Sequence, residues 1–358
     1  MKTIRVLVVD DSPLVRKFIV STLSSEKDIE VVDTASDGIM ALRKIQHHKP
    51  DVVTLDLNMP RMDGLAAIKE VMRVNPVPIV VFSSANRASA DIALKSLSLG
   101  AVDFLSKPNS NNPAVIQKMK MDLKNKVRAA SSVNLKTVRG SDNILEGENQ
   151  QAEQEAPKQE TRTSTAVELI FSIGCSTGGP KALEAILSKL PSNFSAFIGI
   201  VQHMTDPFIN VFAENLNKVV PMEVRIAKDG DIFQPGLSLI APGSANMIVA
   251  KIGGHYVARV QPIGDDAPSA YPSVDKFFYS VAKTFRKNAV GILLTGMGKD
   301  GAMGMKAIKT VGGVTLAQDA ATSVVYGMPK AAIELKAVDK VVALPYIHAM
   351  MKRMVSIV

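Results

Sequence analysis

The sequence predicts two α/β domains, each built on a doubly wound parallel sheet. In both halves of the chain, short β-branched or apolar runs alternate with amphipathic stretches, a pattern typical of parallel strands covered by helices on both faces. The 358 residues allow each domain its own core. Between them the periodicity disappears and Gln, Glu and Thr dominate. We expect domains at 1–125 and 166–358 and a flexible linker at 126–165, although a polar helix at QQAEQEA is an open alternative.

The composition argues against several classes of protein. The net charge is +8, but the basic residues are scattered and no stacking aromatics lie between them, so we expect no nucleic-acid partner. The single cysteine, Cys175, excludes an intramolecular disulfide and suits a reducing compartment. No apolar run is long enough for a signal-peptide core or a membrane span. We expect a cytoplasmic protein that does not insert into membranes.

The first half predicts strands with polar residues at their carboxyl ends. The near-continuous apolar runs are Val6–Val9, Val52–Leu55, Ile79–Phe82 and Val102–Leu105. Asp10 and Asp11 follow the first of these runs, Asp56 follows the second, and Ser83 and Lys107 follow the last two. Because ligand sites gather at this edge of α/β sheets, these side chains should converge. Grouped carboxylates suit Mg²⁺, and a cation, an ammonium and a hydroxyl around one carboxylate favour phosphoryl transfer to it. The alternative is solvated loop residues.

The second half repeats the alternation and adds a hairpin. Predicted buried strands are 169–174, 197–201, 289–296 and 314–318. Residues 247–261 alternate around Gly253–Gly254, as an antiparallel β-hairpin does. The second domain is therefore expected to be a doubly wound α/β domain with a β-hairpin insertion.

A glycine-rich turn, SIGCSTGGPKAL, carries a candidate nucleophile between a strand and a helix. Ser176 in this turn would lie at the sheet edge near helix amides that can stabilise an oxyanion. Such a turn equally suits phosphate binding, although it matches neither common phosphate-binding motif. Cys175 is a rival nucleophile, but adjacent residues leaving a strand point to opposite sides and an unactivated cysteine behaves as a small hydrophobe. We favour Ser176.

A base and an orienting acid follow two further strands. Of five histidines, only His203 directly follows a buried strand, and Asp300 lies in the loop TGMGKDGAMG after another. Serine, imidazole and carboxylate at one sheet edge is the arrangement of a hydrolytic triad. The structural alternatives are a core or capping imidazole for His203 and a loop cap for Asp300.

The motifs VVDDS, DLNMPRMDG, VFSS and DFLSKP resemble the response-regulator receiver family over residues 3–125. The resemblance implies a flavodoxin-like, five-stranded domain that a phosphodonor histidine kinase phosphorylates on Asp56. It also implies Mg²⁺ ligands and phosphoryl-sensing residues. The implied ligands are Asp11, Asp56, the Asn58 main-chain carbonyl and, through water, Asp10; the sensing residues are Ser83 and Lys107.

The motifs GCSTGGP, QHMTDPF, PSVDKFFYS and LTGMGKDGA resemble the catalytic domain of the CheB protein-glutamate methylesterase/glutamine deamidase family over residues 168–350. The resemblance implies cofactor-free hydrolysis of methyl esters, and deamidation of glutamines, on chemoreceptor cytoplasmic domains. It assigns Ser176 as nucleophile, His203 as base and Asp300 as orienting acid. Thr177 lies beside the nucleophile, and the Met297 N–H is the expected oxyanion donor.

Three residues depart from the family pattern, and two rival functions remain. Cys175 stands where a small residue such as alanine is more usual. Lys299 replaces a more usual asparagine, and Asn246 replaces a more usual histidine. The rivals are a receiver with a DNA-binding output, although no helix-turn-helix is evident, and an inactive receptor-binding scaffold.

The resemblance also suggests how the enzyme activity is controlled. We expect the unphosphorylated receiver to pack over the sheet edge that carries Ser176 and to block it.

Overall fold

The structure is a computed structural model that describes residues 3–107, 112–133, 135, 168–263 and 272–357. The first domain has five strands and five helices among these residues, alternating along the chain. They are β1 (Ile4–Val9), α1 (Pro13–Leu23), β2 (Ile29–Ala35), α2 (Gly38–His48), β3 (Val52–Leu55), α3 (Gly64–Val74), β4 (Ile79–Ser83), α4 (Arg87–Ser98), β5 (Asp103–Ser106) and α5 (Pro113–Ser131).

The sheet of the first domain is parallel, in the order β2-β1-β3-β4-β5. Each of its helices begins after a residue whose side chain accepts a backbone N–H of the first turn, which satisfies a donor that the helix itself leaves unpaired. These N-cap residues are Ser12, Asp37, Asp63, Asn86 and Asn112.

The second domain begins with the predicted strand–turn–helix. Its elements are β6 (Ile170–Cys175), α6 (Gly179–Leu187), β7 (Phe197–Gln202), α7 (Phe208–Val219), β8 (Glu223–Ile226), β9 (Leu237–Ile240), β10 (Ala245–Ile252), β11 (His255–Pro262), α8 (Val274–Phe285), β12 (Ala289–Leu293), α9 (Ala302–Thr310), β13 (Val314–Gln318), α10 (Met328–Glu334), β14 (Lys340–Val342) and α11 (Leu344–Ile357). Seven parallel strands form one sheet in the order β14-β13-β12-β6-β7-β9-β8.

The predicted fold class is confirmed in both domains. The hairpin is formed by β10 and β11, which pair antiparallel around Gly253–Gly254. Three strands of the second sheet were not predicted, namely β8, β9 and β14. Two of these are edge strands, and all three have four residues or fewer, so their apolar patterns are too short to be distinguished from loops.

Helix α5 continues to Ser131, beyond the domain boundary expected at residue 125. Val127 and Ala130 are fully buried in the core of the first domain, so this last part of the helix belongs to that domain. Most of the expected linker lies outside the described residues.

The two domains pack against each other through α4 and β5 of the first and α7 and the β7–α7 loop of the second. The rings of Phe104 and Phe208 stack with their centroids 4.7 Å apart. At the rim, Arg87 forms an ion pair with Glu214. Buried apolar residues of both domains form one continuous cluster. In the described part of the chain, no helix has the length and apolar character that a membrane span requires.

Candidate active site and acidic pocket

The acidic pocket of the first domain lies at the carboxyl ends of β1 and β3, which are neighbours in the sheet. Asp10, Asp11 and Asp56 offer carboxylate oxygens that lie within 4.8 Å of one another. Asp10 and Asp56 are buried, whereas Asp11 is exposed. Carboxylate oxygens at this spacing form a donor set that suits a hard divalent cation. Asn58 lies exposed in the loop after Asp56, and its role as a ligand stays a prediction.

Lys107 reaches this pocket from the end of β5, as predicted. Its Nζ lies 2.8 Å from both Asp10 Oδ2 and Asp56 Oδ2. Burial by itself would lower the pKa of Lys107, but hydrogen bonds to the two carboxylates outweigh burial and raise it. Burial raises the pKa of Asp10, and Lys107 opposes that rise. The ammonium therefore holds two buried carboxylates together.

Two buried oxygens in the pocket have no hydrogen-bond partner among the described residues. They are Asp56 Oδ1 and Ser83 Oγ, the hydroxyl at the end of β4. Buried polar groups are normally satisfied, so unsatisfied ones indicate a position for a ligand or ion. The donor set and these oxygens therefore fit Mg²⁺ and a phosphoryl group.

Ser176 lies in the turn between β6 and α6, where its backbone is held on both sides. Its N–H donates to the Thr295 carbonyl at 3.0 Å, and its carbonyl accepts from Gly179 N–H at 2.8 Å. Gly178 has a φ of +81°, which only glycine adopts readily. At Gly296, a Cβ would lie 2.8 Å from the Ser176 Cβ, so glycine is also required for the neighbouring loop to approach.

His203 follows β7 at the same sheet edge. The last residues of β6 and β7, Cys175 and Gln202, are direct partners in the ladder. Ser176 and His203 are therefore the first residues beyond a paired position on adjacent strands. The His203 N–H donates to the Cys175 carbonyl at 3.0 Å and continues the contact between the strands.

Asp300 binds the imidazole from the loop between β12 and α9. Its Oδ2 lies 2.9 Å from His203 Nε2. Its two oxygens also accept from Ser273 Oγ and from the main-chain N–H groups of Val274 and Asp275, at 2.8–3.1 Å. The structure thus joins His203 to Asp300 as predicted.

His203 and the start of α8 together keep Asp300 ionised. Burial alone would raise the pKa of this carboxyl, but the hydrogen bond and charge of His203 and the helix N–H groups outweigh burial and lower it to about 2. The amino end of a helix carries a partial positive charge, which favours an anion there. Sequence reasoning missed Ser273, although a serine at the start of a helical pattern is a recognisable capping signal.

The departures from the family pattern find places around this site. Asn246 is buried, and its Oδ1 accepts the Ser273 N–H at 2.8 Å, so it fixes the beginning of α8. Lys299 is exposed beside Asp300. Cys175 is fully buried, and burial raises the pKa of its thiol. Because a reactive cysteine needs access and thiolate character, Cys175 is not suited to be the nucleophile.

A cavity of about 490 Å³ lies where the two domains meet. Ser176, His203 and Met297 line it from the second domain, and Asp103 and Lys107 line it from the first. Met297 thus borders the predicted site, while its role as an oxyanion donor stays a prediction.

Thr177 also lines this cavity and makes a contact that the sequence did not predict. Its Oγ1 donates a hydrogen bond to Asp103 Oδ2 in the first domain. Lys126 Nζ lies 2.9 Å from the other oxygen of Asp103, so the carboxylate joins α5 to the turn that contains Ser176 and Thr177.

Comparison with known proteins establishes the family. Residues 171–351 match the family model described as CheB methylesterase, and residues 6–119 match the response regulator receiver domain. The first of these matches covers half of the sequence. The chain belongs to the CheB methylesterase family. Both matched ranges lie within the two domains expected from the sequence.

CheB relatives match nearly the whole chain. A protein-glutamate methylesterase/protein-glutamine glutaminase of Syntrophotalea carbinolica is 41% identical and covers 96% of this chain and 95% of its own length. Another, from Pseudomonas syringae pv. tomato, is 42% identical, and the match covers 97% of this chain and 98% of that relative. The crystal structure of the Thermotoga maritima CheB methylesterase catalytic domain is 34% identical, with a TM-score of 0.50 over 53% of this chain and 99% of that chain.

Proposed function

We propose that this protein removes methyl esters from glutamate side chains of chemoreceptors, deamidates certain glutamines, and is controlled by phosphorylation of its receiver domain. The names of the relatives support this substrate class. The observation that carries the chemistry is His203, which is hydrogen-bonded to Asp300 and stands beside Ser176 at one sheet edge. The substrate segments are cytoplasmic, so we place the protein in the cytoplasm.

The proposed reaction is acyl transfer through Ser176. The Oγ attacks the side-chain carbonyl and passes its proton to His203, which then gives that proton to the leaving methanol or ammonia. Water attacks the acyl-enzyme in a second step and passes a proton to His203, which returns it to Ser176 Oγ as the acyl–oxygen bond breaks and glutamate is released. Because Nε2 is bound to Asp300, Nδ1 is the nitrogen that exchanges the proton with serine. We assign the Met297 N–H to the oxyanion.

We propose Asp56 as the phosphoryl acceptor from a histidine kinase. Asp11, Asp56 and the Asn58 carbonyl would hold Mg²⁺, with Asp10 acting through water, and the bound ion would neutralise charge on the transferring phosphoryl group. Lys107 already lies against Asp56 and can neutralise the same group from another side. Ser83, whose hydroxyl is buried without a hydrogen-bond partner in the described part of the protein, can donate to the phosphoryl group.

Control is proposed to act through the contact between the domains. The receiver's Asp103 binds Thr177 directly beside Ser176, and the receiver forms one wall of the cavity that contains the site. The receptor segment that carries the substrate side chain would need that space to reach Ser176. A phosphoryl-induced change at Ser83 and Lys107 would be transmitted through β5, which connects Lys107 to Asp103. Each tenfold of activation requires about 1.4 kcal/mol of differential stabilisation.

Methanol release from methylated receptor membranes tests the proposal. We expect the full-length protein to release methanol slowly, a small-molecule phosphodonor with Mg²⁺ to accelerate release, and Ser176→Ala to abolish it. No methanol release by the wild-type protein would favour the scaffold alternative, and full release by Ser176→Ala would mean that another residue is the nucleophile. Strongly salt-dependent DNA binding without esterase activity would favour the DNA-binding alternative.

A further inference from the structure

Gln202, the last residue of β7, is buried between the candidate nucleophile and base. Only 2% of it is exposed. Its Nε2 donates to the main-chain carbonyl of Ser176 at 3.0 Å and to that of His203 at 3.1 Å. Its Oε1 accepts from Cys175 Sγ at 3.1 Å. Both donors of the amide are thus directed at the two candidate catalytic residues, and its oxygen is directed at their neighbour Cys175.

The chemistry of its neighbours determines the orientation of this amide. Both carbonyls can only accept, so the NH₂ group must face them, and the thiol donates to the remaining oxygen. The close fit also explains a glycine of the turn, because a Cβ on Gly179 would lie 2.0 Å from Gln202 Oε1. The turn is therefore shaped to admit the amide.

We propose that Gln202 is a positioning residue that sets the spacing between Ser176 and His203; this rests on the function proposed for those two residues. The ladder between β6 and β7 ends at the pair Cys175 and Gln202, so Ser176 and His203 are not themselves paired with each other in the sheet. One hydrogen bond, from His203 N–H to the Cys175 carbonyl, spans the gap. The Gln202 amide adds a second connection, because its NH₂ group binds the main-chain carbonyls of both Ser176 and His203. A misplacement of about 1 Å in a catalytic pair costs about a hundredfold in rate.

Gln202→Met in the full-length protein tests the proposal, because methionine keeps the length of the side chain and removes both donors. The protein is activated with Mg²⁺ and acetyl phosphate, and two rates are measured: methanol release, and covalent labelling of Ser176 by a fluorophosphonate. We expect kcat and the labelling rate to fall about tenfold to hundredfold, with KM within about twofold of wild type. We expect the pH of half-maximal labelling to stay unchanged, since the base itself is intact.

Thr315→Val is the matched control for loss of buried hydrogen bonds. Thr315 is fully buried in the same sheet, and among the described residues its hydroxyl bonds only to Asp339, away from the site. Thr315→Val should reduce stability and leave kcat at the wild-type value. If Gln202→Met behaves in the same way, Gln202 is only structural and the proposal is wrong.

A second variant keeps the proposal testable if Gln202→Met does not fold. Gln202→Glu retains an acceptor for Cys175 but turns an oxygen toward both carbonyls, so the labelling rate should fall at least as far; a wild-type labelling rate overturns the proposal. A wild-type protein that takes up no fluorophosphonate at Ser176 would refute the hydrolase itself. That result differs from equal labelling of wild type and variants, which refutes only the role of Gln202.

Discussion

Thr177 donates a hydrogen bond from its hydroxyl to the Asp103 carboxylate of the receiver domain. The residue next to the candidate nucleophile is thereby bound to β5, the strand that ends beside the acidic pocket of the first domain. Lys107 of that pocket and Asp103 lie four positions apart on one short segment. Because this contact joins the two sites, substitutions at the domain interface test the proposed control of the reaction.

Phe104→Ala should raise the activity of the unphosphorylated protein. Phe104 stacks on Phe208 across the interface, and an aromatic pair contributes about 0.5–1.5 kcal/mol, which corresponds to about twofold to tenfold in activity. Methanol release without phosphodonor measures the effect. Phe18→Ala is the control, because Phe18 lies on α1, where Lys120 contacts its ring. Equal activation by both variants would contradict a role for the interface.

Asp56→Asn should abolish stimulation by a phosphodonor and leave basal activity in place. The amide removes the acceptor oxygen while keeping the size of the buried side chain. Asp63→Asn is the matched control, since Asp63 lies on the same β3–α3 loop, only caps α3, and asparagine caps equally well. Incorporation of phosphoryl label should disappear in the first variant and persist in the second. Stimulation that survives in Asp56→Asn would place the acceptor elsewhere.

Asp300→Asn should reduce kcat by about 10³- to 10⁴-fold, because the carboxylate orients the imidazole and stabilises its charged form.

Replacement of Asp300 by asparagine should also reduce the free energy of unfolding in a pH-dependent way. The pKa of Asp300 is lowered in the folded protein to about 2. A carboxyl with a lowered pKa stabilises the fold above its unfolded pKa, and that contribution disappears as the pH falls through the folded value.

Denaturant unfolding of wild type and Asp300→Asn at several pH values checks this dependence. We expect a difference in the free energy of unfolding of about 2 kcal/mol at pH 7 and at pH 5, which shrinks between about pH 4 and pH 2. A difference that stayed constant down to pH 2 would mean that the carboxylate charge is not what stabilises this loop.

Asp275→Asn should increase stability at neutral pH. Burial raises the pKa of Asp275, and the charge of Asp300 raises it further, so its ionised form is disfavoured in the folded protein. Asparagine can still accept the Gly304 N–H that Asp275 binds at 2.6 Å. We expect Tm to rise at pH 7 and the difference to vanish at acid pH.

Asp229→Asn is the comparison for Asp275→Asn. The Val260 N–H and Arg259 lower the pKa of Asp229, so loss of its charge should give no gain in Tm. A fall in Tm for Asp275→Asn at pH 7 would contradict the expected repulsion between Asp275 and Asp300.

Much of the site could be predicted because of a rule about parallel strands. Since their carboxyl ends meet at one edge, a side chain that follows a strand is located by its place in the sequence. This rule predicted that Asp10, Asp56 and Lys107 converge, and in the structure they lie in one pocket. It also predicted that His203 and Asp300 meet. It did not find Ser273, which contributes through the start of a helix rather than the end of a strand.

The sequence by itself determined the fold class, the order of most elements and the edge of each sheet that carries chemistry, because apolar periodicity and chain order are local properties. Only the tertiary structure decided that the Nε2 atom of His203 binds Asp300, that Gln202 bridges two carbonyls, and that Thr177 is bound to Asp103. Each of these is a hydrogen bond whose direction depends on how distant segments pack. Hydrogen bonds weaken steeply with distance and angle, and no pattern along the chain encodes either quantity.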